Sequence, residues 1–481
     1  MNGDLGTPDC VRNKADKQAV YERLRELEQG SRSVTSPEEL EALEREIRAC
    51  TDALASLLLE RHVQASLDAE AQREKEAELI RAWPQKLKNE GYETVQIRTV
   101  SGLYITVRVR YYRRPCKRRR GQRQGVYAGL VLVGIHERCT PWLGALVSAW
   151  SALLSSFEEV RQVLLEHGVE LGGKVVRQLA YRYAERARVL QHAKDLALEP
   201  GETVAGRRVV VSTDGGRVRL RENKRGRKTA KGRKRYRGAW REPKLFMVYV
   251  VDDEGQLEKS FVPLIDGSLR GPDALFGLLQ GYLQGLAIAQ ADHVLFVADG
   301  AHWIWHRVPG LVKALGLNPK QVHEVIDFYH AVEHLGKVAA LCKSWSAKER
   351  KAWVRKHRRL LLNGQVEAVV EAVRAICRGR HSKPITTERN YFVRNQHRMA
   401  YPALKALQLP IGSGAVESAI RRVVNLRLKG PCIFWYRENV EKMLMLRAYY
   451  KSGRWNLLKR NCQNWLFSLR GGFPICYSGA P

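Results

Sequence analysis

Val294 to Ala298 is a run of five apolar residues that ends on Asp299 and is followed at once by Gly300. A short apolar run bounded by a turn signal predicts a buried strand, here with a carboxylate at its C-terminal end. Asp-Gly is ordinary turn chemistry, and a carboxylate at a strand end is equally well placed to meet a metal ion. The rest of the chain narrows the choice. Arg208 to Thr213 is another β-branched run that ends on Asp214, and Gln321 to Ile326 is a third that ends on Asp327. Lys244 to Val251 predicts a second strand after Asp214, and Ser260 to Ile265 a shorter third. Helical patterns run from Pro272 to about Ile288 and from Trp303 to Leu315. The order is β-β-β-α-β-α-β, an antiparallel meander followed by crossovers that make parallel neighbours.

That order is the order of the ribonuclease H-like fold, an α/β class built on a mixed sheet. It predicts a catalytic domain in two parts, residues 205–335 and 407–452, separated by an all-helical insertion at 336–406. In such a sheet the first and fourth strands are neighbours, so Asp214 and Asp299 would face one small volume. Glu417 stands one turn into a helix opened by Gly412-Ser-Gly, and can supply a third acid. Clustered carboxylates repel unless a cation neutralises them. Mg²⁺ (or Mn²⁺) prefers hard oxygen ligands and keeps waters for a phosphate. Two such ions, roughly 3.5–4 Å apart, would stabilise the attacking and leaving oxygens of an in-line phosphoryl transfer. The bland alternative is that each acid caps an element or pairs with an arginine, as Glu417 with Arg421 at i+4.

Charge points to the same substrate class. Lys+Arg number 82 against 50 Asp+Glu, a net +32, and a balance this basic signals a polyanionic partner, with nucleic acid the default. The excess is concentrated: Arg217 to Arg241 holds thirteen Lys or Arg and one acid, Glu222, directly after Asp214. Within it Lys224, Arg225, Arg227, Lys228, Lys231, Arg233, Lys234 and Arg235 are candidate phosphate contacts. Arg421, Arg422, Arg427 and Lys429, on and just after the Glu417 helix, are candidates to hold the scissile strand. Trp303 and Trp305 read as core. Trp345 and Trp353, in the basic insertion, fit either stacking on an unpaired base or packing between helices.

The remainder of the chain is organised around this domain. Residues 1–16 read as disordered. Residues 17–88 are charged and helical, with Leu40, Leu43, Ile47, Leu54, Leu57 and Leu58 three or four apart. They fit either a helical hairpin or a dimerising coiled coil. Residues 89–139 change to period two around Ser101-Gly102, a β-hairpin with a basic face, followed by the basic loop Pro115 to Arg123. Residues 140–200 return to helix. Ser156 to Leu165, a Gly-rich turn and a basic helix with Arg177, Arg182, Arg186 and Arg188 resemble a helix-turn-helix. An aromatic, basic tail occupies 453–481. The longest apolar run, Trp142 to Phe157, carries four serines and is too short to cross a bilayer, so no membrane partner is expected. The nine cysteines are scattered and no secretory leader precedes them, which fits a reducing cytoplasm.

Four motifs together resemble the DDE transposases of bacterial insertion sequences, with the Kra type nearest and Mutator-like enzymes more distant. They are Thr213-Asp214-Gly, Val297-Ala-Asp299-Gly-Ala-His-Trp-Ile, Asp327-Phe-Tyr-His330-Ala-Val-Glu333-His334 and Gly412-Ser-Gly-Ala-Val-Glu417-Ser. The resemblance implies Asp214, Asp299 and Glu417 as the catalytic, metal-binding triad. It implies cleavage at the element's terminal inverted repeats and joining of the freed 3′-OH to target DNA. A homodimer or larger assembly, associated with the bacterial nucleoid, would bring two ends together. Asp327 and His330 would brace the site or touch DNA beside it, with Glu333 and His334 behind them. Related sequences carry paired cysteines suited to a zinc ribbon. Here Cys116 stands alone and Cys139 is distant, so no structural zinc is expected. A structure-selective nuclease on the same fold and a non-catalytic DNA-binding derivative remain the rival expectations.

Overall fold

A computed structural model describes residues 17–30, 33–113, 125–192, 198–230 and 232–464. The expected disordered start (1–16), the basic loop 115–123, Lys231 and the tail beyond 464 lie outside the described residues. Two compact units emerge, Met1–Arg186 with Cys462–Pro481, and Ala187–Asn461.

In the first unit Ser36 caps the Pro37–Asp68 helix by accepting from the Glu39 N–H, with Pro37 in the first turn as its lack of a donor allows. The Lys17–Gln29 helix packs back on it and Arg23 reaches Glu46, so a helical hairpin forms. Leu40, Ile47 and Leu58 nonetheless stay exposed on the longer helix. Strands β1 (Lys88–Arg98) and β2 (Tyr104–Arg113) pair antiparallel, and β3 (Gly125–Val126) extends β2. Period-two alternation buries Val95, Ile97, Ile105, Val107 and Val109 on one face. On the other, Arg98 lies over Tyr104 and Arg108 over Tyr92. The Phe157–Glu166 helix is capped by Ser156, turns at Gly168 and leads to the Gly173–His192 helix. Three of the four arginines on that second helix are engaged by acids: Arg182 with Glu185, Arg186 with Glu137 and, on the helix's last part, which belongs to the second unit, Arg188 with Asp266 of that same unit. Only Arg177 is left fully exposed, which weakens the expected DNA-reading face.

The second unit is a mixed α/β body. Five strands, β4 (Arg208–Gly215), β7 (Lys244–Val251), β8 (Leu264–Ser268), β9 (His293–Ala298) and β10 (Val322–Ile326), form one sheet in the order β10-β9-β4-β7-β8. The first three run antiparallel, and β9 and β10 add parallel beside β4. Between β4 and β7 a separate ribbon rises, β5 (Val218–Asn223) paired with β6 (Tyr236–Arg241). The third strand begins four residues later than the apolar run suggested. Pro263 cannot donate to a ladder, so pairing with β7 starts at Leu264.

Helices Pro272–Gly285 and Arg437–Ser452 pack on β7 and β8, which is why every residue of β7 is buried. Under them the buried Asp266 accepts from Arg188 and from the Tyr282 hydroxyl, which in turn meets the Tyr449 hydroxyl. The expected insertion is all helical among its described residues, with long helices at Ala347–Leu362, Val366–Cys377 and Lys383–Asn395. The helix expected to open at the Gly412-Ser-Gly turn and run to Leu428 is shorter. It is α-helical over Gly414–Ile420 and widens to a π turn over Arg421–Asn425.

Candidate active site

The sheet register brings the first two acids together. Thr213 of β4 pairs with Ala298 of β9, so Asp214 and Asp299 each follow at the same level on adjacent parallel strands. Each carboxylate is half-buried and anchored through one oxygen only. Asp214 Oδ1 accepts from the Gly215 N–H at 2.6 Å, and Asp299 Oδ1 from the Ala301 N–H at 3.0 Å. The Oδ2 atoms have no hydrogen-bond partner among the described residues. Burial pushes the Asp214 carboxyl up to about 6, and Asp299 and Glu417 add to it, while the Gly215 N–H and His330 pull the other way.

Glu417 reaches the same edge from the Gly414–Ile420 helix, with its side chain half exposed. His330 Nε2 lies 3.6 Å from Glu417 Oε1, and the Ser413 hydroxyl 3.2 Å from the same oxygen. No ion pair forms with Arg421, the alternative the i+4 spacing allowed. Glu333 is exposed and faces the other ring nitrogen of His330, 3.4 Å away.

Asp327 belongs to the support beneath these groups. It is fully buried. Oδ1 accepts the His330 N–H at 2.9 Å, capping the Phe328–Ala340 helix, and Oδ2 accepts both the N–H and the hydroxyl of Ser413. The Ser413 hydroxyl has one proton and lies 2.6 Å from Asp327, so it donates there rather than to Glu417. The end of β10 is thereby tied to the turn that launches the Glu417 helix. The Phe328 N–H, donating to the Ile411 carbonyl at 2.9 Å, doubles the tie.

The insertion braces the second acid. Gly300 lies against the ring of Tyr391, where an added Cβ would come within 2.4 Å, so only glycine fits. Tyr391 stacks on His334 at 3.7 Å between centroids, and His334 Nδ1 meets Glu388 Oε2 at 2.6 Å. Burial lowers the His334 pKa, against the pull of Glu388. Trp305 is core, as expected, and its indole N–H donates to the Asp299 carbonyl at 2.6 Å.

The cation candidates divide. Lys224, Arg225, Arg227, Lys228, Arg233, Lys234 and Arg235 are all exposed at the tip of the β5–β6 ribbon, which starts at Val218, three residues after the end of β4 at Gly215. Arg421 and Lys429 are also exposed. Arg427 is a correction: it is buried against Trp435 and does not present its charge to a strand. Arg422 is half-buried and donates to the Lys451 carbonyl, another structural use. Trp345 and Trp353 pack on each other at 6.1 Å, with His357 against Trp353, which favours packing over base stacking.

Three features escaped the sequence reading. Ser413 was legible, being four residues before Glu417 in a quoted motif. Tyr391 has no local signal, because its contact with Gly300 spans some ninety residues. The ribbon's aromatic face was hidden in its charge: Arg219 lies between Trp240 and Phe434, and Arg221 between Tyr236 and Tyr436.

Three carboxylates with unpartnered oxygens are hard donors that suit a divalent cation, which would offset the burial and, after it, the neighbouring acids that raise the Asp214 carboxyl. Among the described residues no group of three or more His, Cys, Asp or Glu is gathered in a ligating arrangement. No protein-family model and no curated protein matches this chain.

Proposed function

We propose that this protein is a DNA transposase of the DDE type, acting on insertion-sequence ends through Asp214, Asp299 and Glu417. The observation that carries the reading is the β4–β9 register, which sets two half-free aspartates side by side at the foot of an exposed cationic ribbon. Strand order supports a ribonuclease H-like fold: counted along the chain the five strands lie 3-2-1-4-5, with only the second antiparallel to the other four.

Asp214, Asp299 and Glu417 would hold Mg²⁺ or Mn²⁺, which when bound supplies Lewis-acid stabilisation of phosphate charge and a more acidic water. The chain's own residues do the rest. The Asp-Gly turns aim the two aspartates outward from a rigid sheet. Asp327 and Ser413 fix where the Glu417 helix starts. His330 stands against Glu417, with Nε2 3.6 Å from Oε1, and holds that side chain at the sheet edge. The ribbon's cations hold the DNA backbone against the sheet edge, so position and charge neutralisation replace a covalent nucleophile. The exposed Leu40, Ile47 and Leu58 face supports self-association, which joining two ends requires.

The test is a cleavage and strand-transfer assay with Mg²⁺ or Mn²⁺, on DNA carrying the inverted repeats that flank the gene. Cleavage with joining is expected. Cleavage without joining reassigns the chain to a nuclease. Binding with neither reassigns it to a non-catalytic DNA-binding protein.

A further inference from the structure

A second basic feature lies in the helical insertion, away from the acids. The end of the Val366–Cys377 helix and one side of the Lys383–Asn395 helix border an open surface cavity of about 490 Å³. Arg374, Arg378 and Arg389 line it together with Asn390, and no acid does. A volume of this size is in the usual range of about 300–1,000 Å³ for small-ligand sites. None of the three guanidiniums has an acid or carbonyl partner among the described residues. The neighbouring acid, Glu388, is turned away to His334. Arg380, also nearby, is already engaged by the Ile376 and Leu341 carbonyls, so it belongs to the scaffold.

Attraction to a helix C-terminus would account for Arg374 and Arg378 alone. It does not account for Arg389, which sits in the middle of a different helix and converges on the same space. Three planar forks around one cavity, with an amide beside them, match the oxygens of a phosphate group.

The position adds the second argument. Arg389, Asn390 and Val393 face the cavity, while Glu388 and Tyr391 of the same helix face His334 and the Gly300 turn. The cavity is therefore within about one helix diameter, roughly 10–12 Å, of the residue that braces Asp299. We propose that it is a phosphate-binding site for the DNA backbone, gripping the substrate strand one helix away from the acids. This rests on the DNA-acting reading given above.

The full-length triple variant Arg374→Gln, Arg378→Gln, Arg389→Gln tests it. Arg374 and Arg378 are exposed, so the substitutions open no core, and an unchanged thermal melt checks the fold. Duplex binding is measured against salt. Losing one phosphate contact should reduce the slope of log K on log salt by about 0.9, and Arg389→Lys alone should keep most of it. A slope that does not change overturns the site, even if the wild type cleaves and joins DNA. A reduced slope in a chain that never cleaves DNA keeps the site and removes the transposase reading. Pyrophosphate titrated without DNA separates the sources: its binding, combined with an unchanged DNA slope, would assign the cavity to a free anion and also overturn the proposal.

Discussion

Neighbouring parallel strands β9 and β10 each run into an aspartate, Asp299 and Asp327, and the two side chains end in opposite circumstances. Asp327 has no exposed surface and accepts three hydrogen bonds, one from His330 and two from Ser413. Asp299 is half-buried, accepts one bond from its own turn and keeps the other oxygen free. Asp214, on the far side of β9, repeats the Asp299 pattern. A buried carboxylate with both oxygens already accepting hydrogen bonds is a strut, because a ligand could reach it only by displacing protein groups. A carboxylate with an unused oxygen at a sheet edge can still take a ligand. The strut on β10 and the two open acids on β9 and β4 share one edge of one sheet, and the strut positions the third acid.

That contrast can be broken by experiment. Asp299→Asn should remove metal-dependent cleavage and joining by about 10²–10³-fold or more, while shifting stability by no more than about 0.5 kcal/mol. A large change in the unfolding midpoint would make Asp299 a strut as well. Asp327→Ala should do the reverse at first sight, costing about 3 kcal/mol in denaturant unfolding, since two buried N–H donors and a hydroxyl lose their acceptor. Stability equal to the wild type's would remove Asp327 from the support.

Gly300→Ala probes the brace behind Asp299. Its Cβ would press on Tyr391, so a loss of about 1–3 kcal/mol is expected, with partial recovery when Tyr391→Leu is added. Additive losses would show that the two residues do not press on each other. The smallest effect concerns protonation. The Asp214 carboxyl should titrate near pH 6 in metal-free protein by carboxyl NMR, and lower when Asp299→Asn removes a neighbouring charge. Because its folded value lies above the ordinary 3.8, the folded chain holds this proton more tightly than the unfolded chain. Its contribution therefore favours folding in acid and is lost as pH rises from about 4 through about 6. A midpoint near 4 in the wild type would mean that Asp214 feels neither burial nor its neighbours.

Much of this was legible in the chain. β4, β7 and β9 were readable because strands covered on both faces become apolar runs, while the edge strand β10 was readable from Val322, Val325 and Ile326 and its stop at Asp327. The Ser36 and Ser156 caps and the Ser101-Gly102 hairpin followed from local hydrogen-bond chemistry. The exceptions are instructive. β8 starts late because one proline removes one donor. The Glu417 helix shortens because it widens to a π turn, which leaves no periodicity signal distinct from an α-helix. Arg427 and Arg422 were taken for surface charge, and their burial depends on Trp435 and Lys451, contacts the local pattern does not encode.

Sequence alone determined which strands build the five-stranded sheet and that three of them end in aspartate, since both depend on residues adjacent in the chain. Tertiary structure decided which aspartates stay open. That depends on whether a turn from some eighty residues away arrives with donors, as Ser413 does at Asp327, or a ring arrives at the glycine beside the acid, as Tyr391 does at Gly300. Such contacts are settled by how helices pack on a sheet edge, and one-dimensional spacing carries no record of them.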